Sequence, residues 1–158
     1  FEDACRYDEG RSCFNTGLDL ETRASRPGAA VQLRAATLRA YNTACILGFE
    51  RGCVAAARLT LDPAWGEVDV SRAVRQLQQA CSRGEAEGCE LLADVHYRGA
   101  EVTPDPARAA RLFRQACDAA NRPNSCFNFA LMAERGKGGP RDVQLGVKYY
   151  RLACRAGS

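Results

Sequence analysis

The residues of this 158-residue chain best able to do chemistry are nine cysteines, at positions 5, 13, 45, 53, 81, 89, 117, 126 and 154. A thiolate is a nucleophile and a soft metal ligand, and two thiols brought together oxidise to a disulfide. Zinc sites gather Cys and His at spacings such as Cys-x2-Cys; this chain has no such pair and one histidine, His96, so no metal site is expected. Nucleophilic catalysis finds little support. No Lys stands three residues after Ser12, Ser25, Ser71, Ser82 or Ser125, as a Ser-x-x-Lys nucleophile would need. His96 has no second histidine to work with and reads as a packed core side chain. Gly136-Lys137-Gly138-Gly139 follows a helical pattern instead of a strand and matches no P-loop spacing, so it reads as a turn. Disulfide formation is the chemistry that remains. It implies an oxidising compartment: secreted or periplasmic, with the mitochondrial intermembrane space as the alternative.

The bulk properties agree with a packed, non-catalytic domain. Hydrophobic residues are 46% of the chain and charged residues 26%, enough to build a core. A net charge of +3 is too weak to point to nucleic acid or a membrane surface. No apolar run reaches the roughly 18–20 residues of a membrane span. The start at Phe1, without a charged-then-apolar leader, is read as a signal peptide removed or left out.

The cysteines also carry the architecture that would position them. Cys45, Cys81, Cys117 and Cys154 recur at intervals of 36, 36 and 37 residues, and Cys53, Cys89 and Cys126 at 36 and 37. A fixed period of this length is the signature of a repeat solenoid. From Cys53, Cys89 and Cys126, the fourth residue on is Ala57, Ala93 or Ala130, and the sixteenth is Asp69, Asp105 or Asp142. The twenty-fourth is Leu77, Phe113 or Tyr150, and the closing Cys follows Ala80, Ala116 or Ala153. Small residues suit close helix approach, and each Asp stands where an N-cap would open a second helix. Each repeat therefore reads as two helices joined by a Gly/Pro turn, with Asp62-Pro63 and Gly66, Gly99 and Pro104, and Gly136 to Pro140 as the turns. The first repeat is four residues longer, an excess assigned to Ser25-Arg26-Pro27-Gly28. No segment alternates as a strand does. The expected fold is all-α, one solenoid domain over 1–158 with about four helix hairpins at 5–45, 46–81, 82–117 and 118–154.

These residues resemble the Sel1-like repeats, and in particular the cysteine-rich branch typified by the Helicobacter cysteine-rich proteins. The resemblance is carried by Ala116-Cys117 … Ser125-Cys126-Phe127-Asn128-Phe129-Ala130 with Gly136-Lys137-Gly138-Gly139, Asp142 and Tyr149-Tyr150, and by Ala80-Cys81 … Gly88-Cys89 … Leu92-Ala93 … Tyr97 … Gly99 … Asp105. Pro63-Ala64-Trp65 departs from it, standing where a Gly-x-Gly turn is usual; Trp65 is expected to plug the gap between turns. The resemblance implies a right-handed α-solenoid of antiparallel helix hairpins, stapled by disulfides.

Spacing permits two pairings. One joins the ends of each hairpin (13–45, 53–81, 89–117, 126–154), leaving Cys5 alone; the other is local. The resemblance implies the local set, Cys5–Cys13, Cys45–Cys53, Cys81–Cys89 and Cys117–Cys126. Cys154 is then unpaired, its partner expected about eight residues past a C-terminus that stops inside a repeat.

The resemblance also implies a concave groove lined by first-helix residues one, five, eight and nine past the opening Cys. Those positions select Phe14, Arg58, Asp94, Tyr97, Arg98, Phe127, Glu134 and Arg135 as candidate binding residues, with Val54, Glu90, Leu18, Leu131, Leu61 and Asp62 beside them. Aromatics among arginines suit a protein or peptide partner bearing acidic groups. The implied function is a non-enzymatic, exported binding scaffold without cofactor. The alternative carried by the resemblance is a protein that binds or slowly hydrolyses β-lactams or cell-wall peptides. The arginines at 108, 111 and 114 share a helix face and are expected to face water.

Overall fold

The computed structural model describes residues 5, 9–99 and 102–157. Among them are eight α-helices and no strand: α1 (Gly10–Ala24), α2 (Val31–Ile46), α3 (Glu50–Thr60), α4 (Val70–Ser82), α5 (Ala86–Arg98), α6 (Pro106–Ala120), α7 (Pro123–Arg135) and α8 (Val143–Arg155). One 3₁₀ turn, Pro63–Trp65, lies between α3 and α4. The chain forms two compact units, Phe1–Arg83 and Gly84–Ser158. In the first, α1 packs on α2, α2 on α3 and α3 on α4; in the second, α5 packs on α6, α6 on α7 and α7 on α8.

The helix starts follow from local chemistry. Asp69, Asp105 and Asp142 stand at the N-caps of α4, α6 and α8, and each carboxylate accepts from the amide three residues on, at 2.9 Å. This satisfies one of the amides that a helix N-terminus leaves unpaired. The amide of each capping Asp in turn donates to the carbonyl seven residues past the opening Cys: Asp69 to Thr60, Asp105 to His96 and Asp142 to Ala133, at 3.4, 3.0 and 2.8 Å. One residue type at one spacing thus both starts a helix and clasps it to the end of the one before. The turns themselves use Gly99 and Gly136, which end α5 and α7 at φ +67 and +66, a conformation that costs glycine little.

Each unit has its own apolar core. In the first, Tyr41, Ala55, Ala56 and Leu59 are buried together, with half-buried Phe14, Leu38 and Trp65 packed against them. In the second, Phe113, Phe129, Met132 and Tyr149 fill the space around Ala93, Ala109 and Ala130. Burying each large side chain contributes about 1.5–3 kcal/mol. Small residues let the backbones approach: a Cβ on Gly146 would stand 3.1 Å from the Ala130 carbonyl. In α8 the fully packed ring is Tyr149, not Tyr150, which the 24-residue spacing selects; Tyr149 is 2% exposed and Tyr150 half-buried. The reason is the Tyr149 ring, which meets Phe129 edge-on at 4.6 Å and carries its hydroxyl to Asp118 Oδ1 at 2.8 Å.

Disulfides join Cys5 to Cys13, Cys45 to Cys53 and Cys117 to Cys126. Cys81 and Cys89 are disulfide-bonded as well. Cys154 is a free, exposed thiol.

Candidate functional site

In the second unit a cleft of about 180 Å³ opens between α5 and α7. Asp94, Tyr97 and Arg98 line it from α5 and Asn128, Leu131 and Met132 from α7, with Phe113 of α6 as its apolar floor. The three residues on each helix lie three and four apart, which places them on one face. Arg98 Nε meets Asp94 Oδ2 at 2.9 Å, yet the Arg98 side chain stays 72% exposed. The Lys137 ammonium sits 4.0 Å from the centre of the Tyr97 ring, a cation–π contact. The cleft therefore has an apolar base, one neutralised acid and a cationic rim.

The groove positions do not all converge there. Asp94, Tyr97, Arg98 and Leu131 line the cleft; Phe127, Glu134 and Arg135 share α7 but lie outside the lining. Arg135 is exposed in the last turn of α7. Glu134 accepts the Tyr150 hydroxyl at 2.8 Å, and the Phe127 ring lies 5.4 Å from that of Tyr150. Burial together with the Glu134 bond pushes the Tyr150 phenol up. Glu90 is withdrawn from solvent: Arg122 Nε and Nη2 meet its two oxygens at 3.0 Å each, and the buried Ser125 hydroxyl donates to it. Ser125 is thus a sealed donor and no exposed nucleophile.

In the first unit the candidates are engaged internally. Phe14 lies between the rings of Tyr41 (5.6 Å) and Phe49 (5.2 Å), with the Arg51 guanidinium 6.0 Å above it. Arg58 Nη2 pairs with Glu21 Oε1 at 2.9 Å, and the Tyr41 hydroxyl donates to the same carboxylate. Burial and that carboxylate raise the Tyr41 phenol far above its ordinary range. Val54 is buried. Glu21 is missing from the groove residues named above, although it stands eight past Cys13 and applying the rule to the first repeat selects it.

His96 is 7% exposed, and neither ring nitrogen has a hydrogen-bond partner. Burial, with the Arg108 charge in support, holds it below the usual histidine range. Arg108 is accordingly half-buried, unlike Arg111; Arg114, though exposed, donates to the Tyr149 hydroxyl at 3.1 Å. Trp65 is half-buried against the core of the first unit. A second groove, about 520 Å³, follows the outer face of α8 past Val143, Val147, Lys148, Arg151 and Arg155. Among the described residues no group of three or more His, Cys, Asp or Glu side chains could hold a metal. No helix among them is long and apolar enough to cross a membrane.

Residues 86–121 and 123–158 match the Sel1 repeat, one hairpin each. Among solved structures, a protective antigen of uropathogenic Escherichia coli displaying an SLR fold is similar over 99% of this chain and 32% of its own, at 16% identity and TM-score 0.87. A Sel1 repeat protein from Oxalobacter formigenes is similar over 96% of this chain and 59% of its own, at 16% identity and TM-score 0.80. Helicobacter pylori cysteine rich protein B is similar over 84% of this chain and 95% of its own, at 25% identity and TM-score 0.66. The chain therefore spans about a third of the first of these proteins and under two thirds of the second. No curated protein sequence matches it. The disulfides, the all-helical hairpins and these likenesses agree: residues 86–121 and 123–158 are Sel1 repeats, in an all-helical, disulfide-bonded chain similar in fold to solved Sel1 repeat proteins.

Proposed function

We infer that this chain is a non-enzymatic scaffold of an exported, oxidising compartment, secreted or periplasmic, that holds a protein or peptide partner in its groove. The observation that carries this reading is the α5–α7 cleft. A volume of about 180 Å³ is below the roughly 300–1,000 Å³ of small-molecule sites and near the ~150 Å³ cavity that admits one benzene ring. It suits a single side chain of a polypeptide better than a whole small ligand. Arg135 and Lys137 are exposed and Arg98 stays 72% exposed while pairing with Asp94, whereas Glu134 accepts the Tyr150 hydroxyl. That balance favours acidic groups beside the anchoring side chain.

The test is binding of a random octapeptide library to the oxidised chain, followed by charge reversal at Arg98 and Arg135 and by Leu131→Glu. Selected peptides carrying an apolar residue and acids, weakened by all three changes, are expected. Selection unaffected by any of them overturns the groove assignment. Nitrocefin turnover above that of the denatured protein would instead favour hydrolysis.

A further inference from the structure

The small net charge of +3 conceals a segregation. The second helix of each hairpin is basic: α2, α4, α6 and α8 together carry nine arginines and one lysine against a single acid, Asp118. The first helices, α1, α3, α5 and α7, carry six arginines against seven acids. One position recurs. The residue six before the closing cysteine is Arg39, Arg75, Arg111 or Lys148, and all four are exposed. Arg39, Arg75 and Arg111 stay exposed although a further hairpin follows each of them in the chain. None of the hydrogen bonds and ion pairs among the described residues engages their side chains. Within each unit the two basic positions flank one bond between second helices. In the first, Gln76 Nε2 donates to Asn42 Oδ1 at 2.7 Å; in the second, Arg114 Nε donates to the Tyr149 hydroxyl at 3.1 Å. Asn42 and Arg114 stand three past Arg39 and Arg111, and Gln76 and Tyr149 stand one past Arg75 and Lys148. The cations of a unit therefore lie on adjacent helices. Exposed Arg72, Arg114 and Arg151, three residues away on the same helices, extend them along the axis.

We propose that the second-helix face of each unit is a docking surface for a membrane of anionic phospholipid, its guanidinium groups meeting headgroup phosphates. A helix face that serves solubility alone mixes both signs, whereas here the acids stand on the other helices. Charge selects the chemistry: the guanidinium is a planar fork that takes phosphate oxygens two at a time. The array selects the occupant. Its cations run in two directions, along each helix and from one helix to the next, and such an array meets a charged surface better than a single strand. The rings of these helices are withdrawn: Tyr41, Phe113 and Tyr149 are buried and Tyr150 is half-buried. Nothing there stacks on nucleobases, and no aromatic anchor is offered to a protein partner. What remains is attraction to headgroups, about five-fold in affinity for each cation near the surface. Apart from its Phe113 floor, the α5–α7 cleft is built from first helices, so this proposal goes beyond the groove reading and does not depend on it.

The test is co-sedimentation of the whole oxidised chain with vesicles of phosphatidylcholine, alone or with about one third phosphatidylglycerol. Partitioning onto the anionic vesicles at least about ten-fold above that onto the neutral ones is expected, falling steeply as salt rises from about 0.05 to about 0.5 M. The variant Arg39→Gln, Arg75→Gln, Arg111→Gln should lose at least about ten-fold in that partitioning. Its three side chains are exposed and unpaired among the described residues, and circular dichroism verifies the fold. The variant Arg11→Gln, Arg26→Gln, Arg51→Gln removes the same charge from exposed positions outside the second helices and should stay within about two-fold of the parent. Equal partitioning onto neutral and anionic vesicles overturns the proposal. Equal losses in the two variants overturn it too, since net charge alone would then govern binding. Binding to soluble polyphosphate without binding to the anionic vesicles would overturn the membrane assignment in favour of a linear polyanion.

Discussion

Arg122 reaches Glu90 across 32 residues of sequence and meets both carboxylate oxygens, Nε to Oε2 and Nη2 to Oε1, each at 3.0 Å. The pair joins the second turn of α5 to the N-cap residue of α7. Burial pushes the Glu90 carboxyl up, but the donors on Arg122 and Ser125 outweigh it and hold the group below its usual range. A carboxylate depressed in the folded state stabilises fully above its unfolded value of about 4.3, and that contribution is lost as the pH falls through the lower folded value. Glu90→Gln should therefore flatten the acid limb of the stability curve. Glu90→Ala should cost about 1.5–3 kcal/mol at neutral pH. Urea unfolding as a function of pH measures both; an unchanged acid limb would show that the pair contributes nothing.

His96 gives a slope higher on the pH scale. Its ring is buried against the Asp105 and Arg108 end of α6 with both nitrogens unpartnered, and it titrates below the usual value of about 6.5. A depressed histidine stabilises above its unfolded pKa and ceases to do so as the pH drops through the folded one, because only the unfolded chain takes up the proton at first. His96→Leu, of similar volume, should raise stability by about 1 kcal/mol or more, since it removes buried, unsatisfied nitrogens. It should also remove the decline below about pH 6.5. A loss of stability at pH 8 would point to a hidden partner for the ring.

Gly17 is required by a neighbour's shape. A Cβ there would stand 2.4 and 2.5 Å from Cε1 and Cδ1 of Tyr41, whose side chain is fully buried and held by Glu21. Gly17→Ala should destabilise the first unit by about 1–3 kcal/mol through overpacking. Gly139→Ala, with nothing within 4 Å of the added carbon, is the neutral control. Thermal melts of the two variants decide the matter; equal melting temperatures would refute the close approach.

The Cys117–Cys126 bridge closes a loop of about ten residues. In the chain-entropy view, Cys117→Ser with Cys126→Ser costs about 2.5 kcal/mol. Much of a small repeat's stability hangs on such a term, because each hairpin packs only on its neighbours. Denaturant midpoints of the oxidised protein and the double variant give the number. A change below about 0.5 kcal/mol would mean that the unfolded chain is already held compact there.

Everything that depends on a few consecutive residues was legible in the sequence. The helix starts at Asp69, Asp105 and Asp142 and the glycine ends of α5 and α7 follow from hydrogen bonds and dihedrals closed within one turn. A periodic pattern repeats that local chemistry, so the helices and their pairing could be read without coordinates.

The fate of side chains on one helix face was not legible, because their partners settle it. Arg58 and Arg98 stand five and nine past their opening cysteines; Glu21 of another helix pairs with the first, while the second pairs with Asp94 of its own helix and stays 72% exposed above its cleft. Glu90 left the groove for Arg122 and Ser125, since a carboxylate that finds a bidentate cation and a buried hydroxyl is better satisfied there than in water. Tyr149 displaced Tyr150 from the core because the Phe129 ring, Asp118 and the space beside Gly146 receive it. Spacing along one helix names the face a residue shares. Only packing between helices determines which residue on that face meets a partner and which remains open to bind one.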